Sequence, residues 1–577
     1  METIPKKRIV STFFESGRTI YLINTHASYF SSLFFGGLGG LLAPLKAQIV
    51  PGSFGYYQDA IRFSRSSFTG TARFQSLAGA HTAVGGDISN THNNPAGLGY
   101  IRNSEFTLSP GLVFAHTDTE YFSLDDENAQ NTRPDSRANF NIAHAGGVFS
   151  LQKEDHEPGR WRGGTVAISA ARVNNFHNQL RYQGLNQNTS KSDFYVSQTN
   201  GIRIADLQNL DLPQYEYQRA AYFAFLTNPF DYIPNPNNPN ELIADPENTA
   251  YFTLARDEEE NLLGPALQSE TITTRGAQYQ WAFAAAGNYD DRLFFGLNVH
   301  LAALSYGEKR TYREEIQNEA SFLSSFEELN DLELSGTGLG ASLGILYRPM
   351  DLLRVGASFT TPTLYFMRES FNTRFTANVF DFVDPNLLLR YEEETLPGEF
   401  DYRLRTPWRA TVGLAFFFKE YGFLAADAEY VAYPSARLRN NEFVGVLDAD
   451  NQTLQNVLKP TWNIRLAGEA RLKSFRLRAG YALEADPTQF EDGIDRHISR
   501  ITGGLGIRQY EWYADIGLIY PLQQCLRALL FCSGRAVCRP GAFYPNPKPG
   551  AEHRDHRRRI FLKKEPTRRF IKFFGVL

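Results

Sequence analysis

Between residues 427 and 515 the sequence sets Asp427, Glu429, Arg465, Glu469, Arg471, Arg476, Arg478, Glu484, Arg500, Arg508, Glu511 and Asp515 among apolar neighbours at largely alternating positions. On an extended chain, side chains two apart share a face, so these charges gather on one side of a sheet. Such a face has two uses. An arginine on it could receive a carboxylate head group in a channel, or acids and bases could brace one another; the mixed signs favour mutual pairing. Catalytic patterns are missing: there is no HExxH, no Walker loop and no CxxC, and no nucleophile–base pair of the kind a protease or lipase needs stands out. Cys532, Cys538, His553 and His556 are zinc-ligand types, but their spacing is irregular. Gly338, Gly340 and Gly344 fall on an alternating stretch, where glycine thins a wall rather than cradling phosphate. No catalytic residue, metal or cofactor is expected.

The elements that carry these residues read as long strands. In residues 292–306, Leu293, Phe295, Leu297, Val299 and Leu301 oppose Gly296, Asn298 and His300, a period of two. Similar segments occur near 104–116, 139–152, 163–176, 277–290, 336–348, 352–365, 401–418, 422–436, 461–473, 475–485, 498–509 and 510–521. A soluble sandwich and a membrane barrel both alternate in this way. Length favours the barrel, since a tilted strand needs about 9–11 residues to cross a bilayer. The connections favour it more. Short turns such as Asp290-Asp291 alternate with long polar loops, the largest at about 177–276, as in outer-membrane barrels with periplasmic turns and extracellular loops. Tyr306, Tyr347, Trp408, Tyr433, Trp462 and Tyr520, near strand ends, suit interfacial girdles.

Composition agrees. The 577 residues include 45 Phe, 29 Tyr and 5 Trp, yet a formal charge of −5 gives no overall pull toward nucleic acid. Residues 1–524 contain no cysteine, which suits an oxidising compartment. Residues 27–45 are uncharged, and the spacing predicts a signal peptide over 1–47, with an apolar core at 33–45 and cleavage after Ala47. Residues 48–103 do not alternate. They are rich in small residues and Phe, with few charges, and are better suited to packing inside a lumen than to solvation.

The run GTARFQSLAGAHTAVGGDISNTHNNPAGLGYIRNSEFTLSPGL resembles the N-terminal hatch and first strand of the FadL/TodX outer-membrane transporters of long-chain fatty acids and other hydrophobic compounds. The resemblance implies an all-β transmembrane antiparallel barrel of about 14 strands, plugged by the hatch, spanning residues 104–524. It implies passive uptake of a fatty-acid-like hydrophobic ligand by a monomer in outer-membrane lipid, with lateral exit through the barrel wall and no nucleic-acid partner. By the match, Asn94-Pro95-Ala96 is the hatch turn, with Asn94 bonding the wall. Phe63, Phe68, Phe74 and Leu77 are the candidates for hatch residues near ligand, or else for plug-to-wall packing. A general diffusion porin, or a surface adhesin using the long loops, is the alternative.

Residues 525–577 differ from the rest. They hold all three cysteines and 13 Lys+Arg against 3 Asp+Glu. Thirteen alternating segments precede them, whereas bacterial single-chain barrels have even numbers. The expectation is that this tail is foreign to the barrel, a reading-frame shift having replaced the closing strand; the rival is that the last nine residues close it.

Overall fold

The computed structural model describes residues 55–65, 67–121, 132–153, 157–212, 215–227, 232–235, 238–244, 247–257, 261–318, 321–381, 384, 386–441, 445–489, 496–509, 511–524 and 572–574. The signal peptide, the cysteines and histidines of the tail, and Tyr510 lie outside these residues.

Ahead of the sheet come helices α1 (Tyr57–Ser64) and α2 (Ala72–Ser76), then two 3-10 turns, Ile88–Thr91 and Pro95–Tyr100. Short polar residues start three of these elements. Thr71 caps α2, Asp87 caps the first turn and Asn94 the second, each accepting from a backbone N–H two or three residues on. Pro95, which lacks an N–H, follows the cap.

The first strands are β1 (Glu105–Glu120), β2 (Thr132–Gln152), β3 (Trp161–Asn175) and β4 (Asn178–Asn186). An insertion follows with α3 (Ser192–Thr199), α4 (Ile204–Gln208) and α5 (Glu216–Phe225). It also holds the short β5 (Leu226–Thr227), β6 (Tyr232–Asn235), β7 (Asn238–Ala244) and β8 (Phe252–Thr253). The sheet resumes with β9 (Ala266–Tyr289), β10 (Leu293–Ile316), β11 (Leu323–Met350), β12 (Leu353–Thr360) and β13 (Leu364–Phe380). It continues with β14 (Leu388–Glu394), β15 (Gly398–Arg405), β16 (Arg409–Phe417), β17 (Gly422–Val431) and β18 (Arg437–Arg439). After α6 (Asp448–Val457) come β19 (Thr461–Leu472), β20 (Phe475–Glu484), β21 (Ile498–Arg508), β22 (Tyr513–Gln524) and β23 (Lys572–Phe574).

Among the described residues, nineteen segments form one antiparallel sheet. Segments outnumber the strands expected from the sequence because several lines are broken. β12 and β13 both run along β11, and β3 and β4 both run along β9. Pro362, Pro397, Pro407 and Pro434 sit at four of the interruptions, where proline withholds a ladder donor. The pairings return to β1: Phe574 lies between Leu112 and Leu518. At the short-turn end, Asp290 and Asp291 take φ of 60° and 52°, the two-residue turn that matches strand twist.

The strands are also longer than their alternation suggests. β9 and β10 reach 24 residues and β11 reaches 28, and β4 and the start of β9 fall within the stretch read as the loop 177–276. Their upper halves carry polar residues on both faces, so hydrophobic alternation stops while the ladder continues.

Burial is inverted relative to a soluble protein. Leu297 is 48% exposed, with Phe295, Val299 and Leu301 likewise outward, while Asn298 is 1% exposed and His300 is buried. An apolar outer band over a polar interior is stable when the outside meets lipid. Tyr347 and Trp462 are exposed as a girdle requires, but Tyr306 and Tyr433 are buried inside. Parity corrects that expectation: counting by twos from Asn298 puts Tyr306 on the inward face. Among the described residues no helix is long and apolar enough to cross a membrane.

Candidate functional site

The hatch seats on the wall where the wall is thin. Asn94 Nδ2 donates to the Thr82 carbonyl at 2.7 Å and to the Ile345 carbonyl of β11 at 3.2 Å, while its Oδ1 accepts from Ala96 N. A Cβ on Gly344 would stand 1.9 Å from Asn94 Oδ1, and one on Gly296 would stand 2.3 Å from the Pro95 carbonyl carbon. The glycines of β10 and β11 therefore leave the space that Asn94, Pro95 and Ala96 occupy. Three pairings along the sheet from β11, Asp427 Oδ2 of β17 accepts from His81 N and Thr82 N, both at 2.9 Å.

The four apolar hatch candidates separate. Leu77 packs with Ala83, Val84, Phe417 and Phe423 against the wall, and Phe68 and Phe74 pack with Ala482 and Ile519. Phe63 goes elsewhere. With Tyr56, which precedes α1, and Ala60 of α1 it enters an apolar chamber formed by Leu304, Tyr306, Tyr365, Met367, Phe400, Tyr402 and Leu404, roofed by Leu454 of α6. Past His300 the inward positions of β10 turn from polar to apolar, as Ala302, Leu304 and Tyr306. Each side chain buried there gains about 1.5–3 kcal/mol over exposure to water. Three acids meet the chamber's polar atoms: Glu369 accepts from Tyr56 Oη at 3.2 Å, Glu308 accepts from Tyr306 Oη, and Asp59 lies on α1. Asp59 of α1 accepts from Tyr402 Oη at 3.0 Å and pairs with Arg62 at 2.7 Å; burial raises its pKa, with Arg62 opposing.

The wall charges lie mostly in pairs. Glu469 accepts from Arg478 Nε at 2.8 Å and Arg471 Nε at 3.0 Å, and hatch Arg73 approaches it at 3.5 Å. Asp515 holds Arg478 at 2.7 Å and Arg508 at 3.0 Å. Glu429 bonds Arg465 at 3.1 Å and Asn463 at 2.8 Å, and Arg500 pairs with Glu484 beside the Phe68 ring. Two residues stand apart. Arg476 donates to the carbonyls of Lys473 and Phe475 at a turn, and Glu511 is exposed ahead of β22. Removing one member of a buried pair costs about 3–5 kcal/mol by stranding the other.

The wall has a gap. β2 pairs with β3 from His144 to Gln152 and no higher, while above that level β3 and β4 follow β9. Between them lies a cavity of about 350 Å³ bordered by Asn139, Phe140, Arg172, His177, Tyr279 and Leu304. Phe140 faces outward and Leu304 inward, so the cavity borders side chains of both faces of the wall. Arg172 Nη1 reaches across to Asn139 Oδ1 at 2.6 Å. Phe176, at the break between β3 and β4, meets Phe63 and Tyr306 edge-on at 5.6 and 5.4 Å. Sequence reading missed Arg172, Phe176 and the chamber aromatics, because nothing local marks a ladder that stops.

No protein-family model and no curated protein matches the sequence. Solved structures do match. A Pseudomonas aeruginosa FadL homologue aligns at 11% identity and a TM-score of 0.46, over 89% of this chain and 95% of its own. The Ralstonia pickettii toluene transporter TbuX aligns at 14% and 0.40, over 79% and 94%. The Pseudomonas putida toluene transporter TodX aligns at 12% and 0.41, over 79% and 93%. This chain is similar to the FadL/TodX transporters. Its barrel, hatch and wall gap are read from its own ladder and burial, independently of that likeness.

Proposed function

We propose that this chain is an outer-membrane transporter that carries small hydrophobic, fatty-acid-like compounds through a hatch-plugged barrel, as a monomer without cofactor or energy source. The observation that carries the reading is the cavity in the wall, whose lining includes both outward Phe140 and Leu304 of the apolar chamber. An apolar solute crosses polar surface layers poorly, so a route lined by Tyr, Phe and Leu removes its main barrier. The solute enters the chamber from the extracellular side, displaces Tyr56 and the α1 face of Ala60 and Phe63, and leaves sideways between β2 and β3. The toluene transporters named above support a hydrophobic cargo. A lumen filled by the hatch, with its charges paired, speaks against a general porin.

The test is uptake by cells lacking their own hydrophobic-compound porins. Expression of this chain is expected to speed accumulation of labelled oleate or toluene several-fold, and Leu304→Trp, which fills the cavity, to abolish the gain. Uptake equal to the empty vector, or ion conductance of open-porin size in planar bilayers, would overturn the reading.

A further inference from the structure

At the short-turn end of the barrel, beneath the hatch, lies a second cavity of about 350 Å³, lined by Arg73, Arg348, Arg354, Lys419 and Arg471, with Asp351 as the one acid. The acids within reach divide unevenly. Glu469 takes Arg73 and Arg471, Asp87 also approaches Arg73 at 3.8 Å, and Asp351 takes Arg348. Among the described residues, Arg354 and Lys419 have no carboxylate partner.

Arg354 is held in an unusual way for a half-buried cation. Its guanidinium lies between the rings of Tyr100 at 4.0 Å and Phe417 at 3.9 Å, and its Nη1 donates to the Val84 carbonyl at 2.6 Å. Its buried Nε has no acceptor. Burying a charge without an opposite charge is costly, and cation–π contact offsets that in part. The uncompensated charge faces a cavity wide enough for a small polyatomic anion. The same cavity borders Gly85 and Gly86, both left-handed at φ +69° and +70°, and Arg73 Nη1 donates to the Gly86 carbonyl at 2.8 Å. Two arginines thus grip the carbonyls on either side of a glycine hinge, with donors to spare.

We infer that this cavity is a binding site for a multiply charged oxyanion of the phosphate class, presented to the underside of the hatch by Arg354, Lys419 and Arg73. Arginine suits such a ligand because its planar fork matches phosphate oxygens. The oxyanion competes with the Val84 and Gly86 carbonyls for the guanidinium donors, so its binding loosens the hinge. The inference stands on this cavity alone and does not depend on the transport reading. A free periplasmic phosphate and a phospholipid head group of the inner leaflet share the chemistry.

The experiment is a calorimetric titration of the full chain in glucoside micelles with inorganic phosphate at low ionic strength, where screening is weak. Saturable binding is expected, weakened at least tenfold in Arg354→Gln and several-fold in Lys419→Gln, and unchanged in Arg403→Gln at the far end of the barrel. Lys419 lies on an exposed turn, so its variant tests the site even if the Arg354 variant folds poorly. Repeating the titration in phosphatidylglycerol vesicles separates the sources: suppressed phosphate binding identifies the head group, and unaltered binding identifies the free ion. No saturable binding at millimolar phosphate, or equal affinity in wild type, Arg354→Gln and Lys419→Gln, would overturn the inference.

Discussion

Single atoms set the fit between hatch and wall. Gly344→Ala drives a methyl into Asn94 Oδ1; overpacking of this kind costs about 1–3 kcal/mol. The expected result is faster hydrogen exchange over residues 82–100 with the barrel intact in gel-shift assays; unchanged exchange would mean the hatch yields freely. Asn94 was singled out in the sequence by the family resemblance of the run around it, which implied a turn bonded to the wall. Gly344 was legible as a thin point, but not its occupant, which lies some 250 residues earlier in the chain and bonds Ile345 next to it. His81 supplies a pH test. Burial, with Arg73 adding to it and Asp87 opposing, lowers its pKa from 6.5 to about 4. The unfolded hatch binds that proton below about 6.5, whereas the folded one refuses it until about 4. Hatch stability is therefore complete above the upper value, falls as pH drops between the two, and is flat below, by roughly 3 kcal/mol at most. Exchange of residues 81–92, corrected for intrinsic rates, is expected to accelerate through that window and to lose most of the pH response in His81→Gln. Equal slopes in both proteins would sink the assignment.

Elements obey parity. Leu297 shares the outward face of β10 with Phe295 and Val299, so Leu297→Arg near the midplane costs about 2–4 kcal/mol. Denaturant unfolding in lipid vesicles measures this; an unaltered unfolding free energy would show the faces to be reversed. The same parity explains why Tyr306 was misplaced. Its position near a strand end suggested a girdle, but a one-residue offset moves a side chain to the other face. Breaks are harder to foresee than faces. Pro362 and Pro407 announce theirs, whereas the β3–β4 break at Phe176 contains no proline and follows from the path of β9.

Across the whole molecule, the seam is the open question that an experiment can close. Among the described residues, β1 meets the C-terminal side of the ring through Lys572–Phe574, paired with residues 112–114. β22 supplies twelve residues on the other side of that seam. Unpaired backbone facing lipid is costly, so we propose that another reading frame of the gene encodes a full closing strand. Reading the other frames beyond codon 524 is expected to give an alternating segment with an aromatic last residue. If no frame contains one, the frameshift expectation fails, and the rival expectation, closure by the last nine residues, takes its place.

By itself the sequence determined the class of fold, because a period of two, short and long links in alternation, and a cysteine-free aromatic body are all local properties of the chain. It determined that residues 48–103 would rather pack than dissolve, since small and apolar residues carry that preference wherever they sit. The tertiary structure decided the rest. It alone brought Phe63 to Tyr306 and Phe176, set Arg172 across the gap from Asn139, and left Arg354 without a carboxylate partner among the described residues. Those outcomes depend on which strand ends meet around a closed ring. Pairing between distant segments is written in the register of the whole sheet and in no single stretch of it.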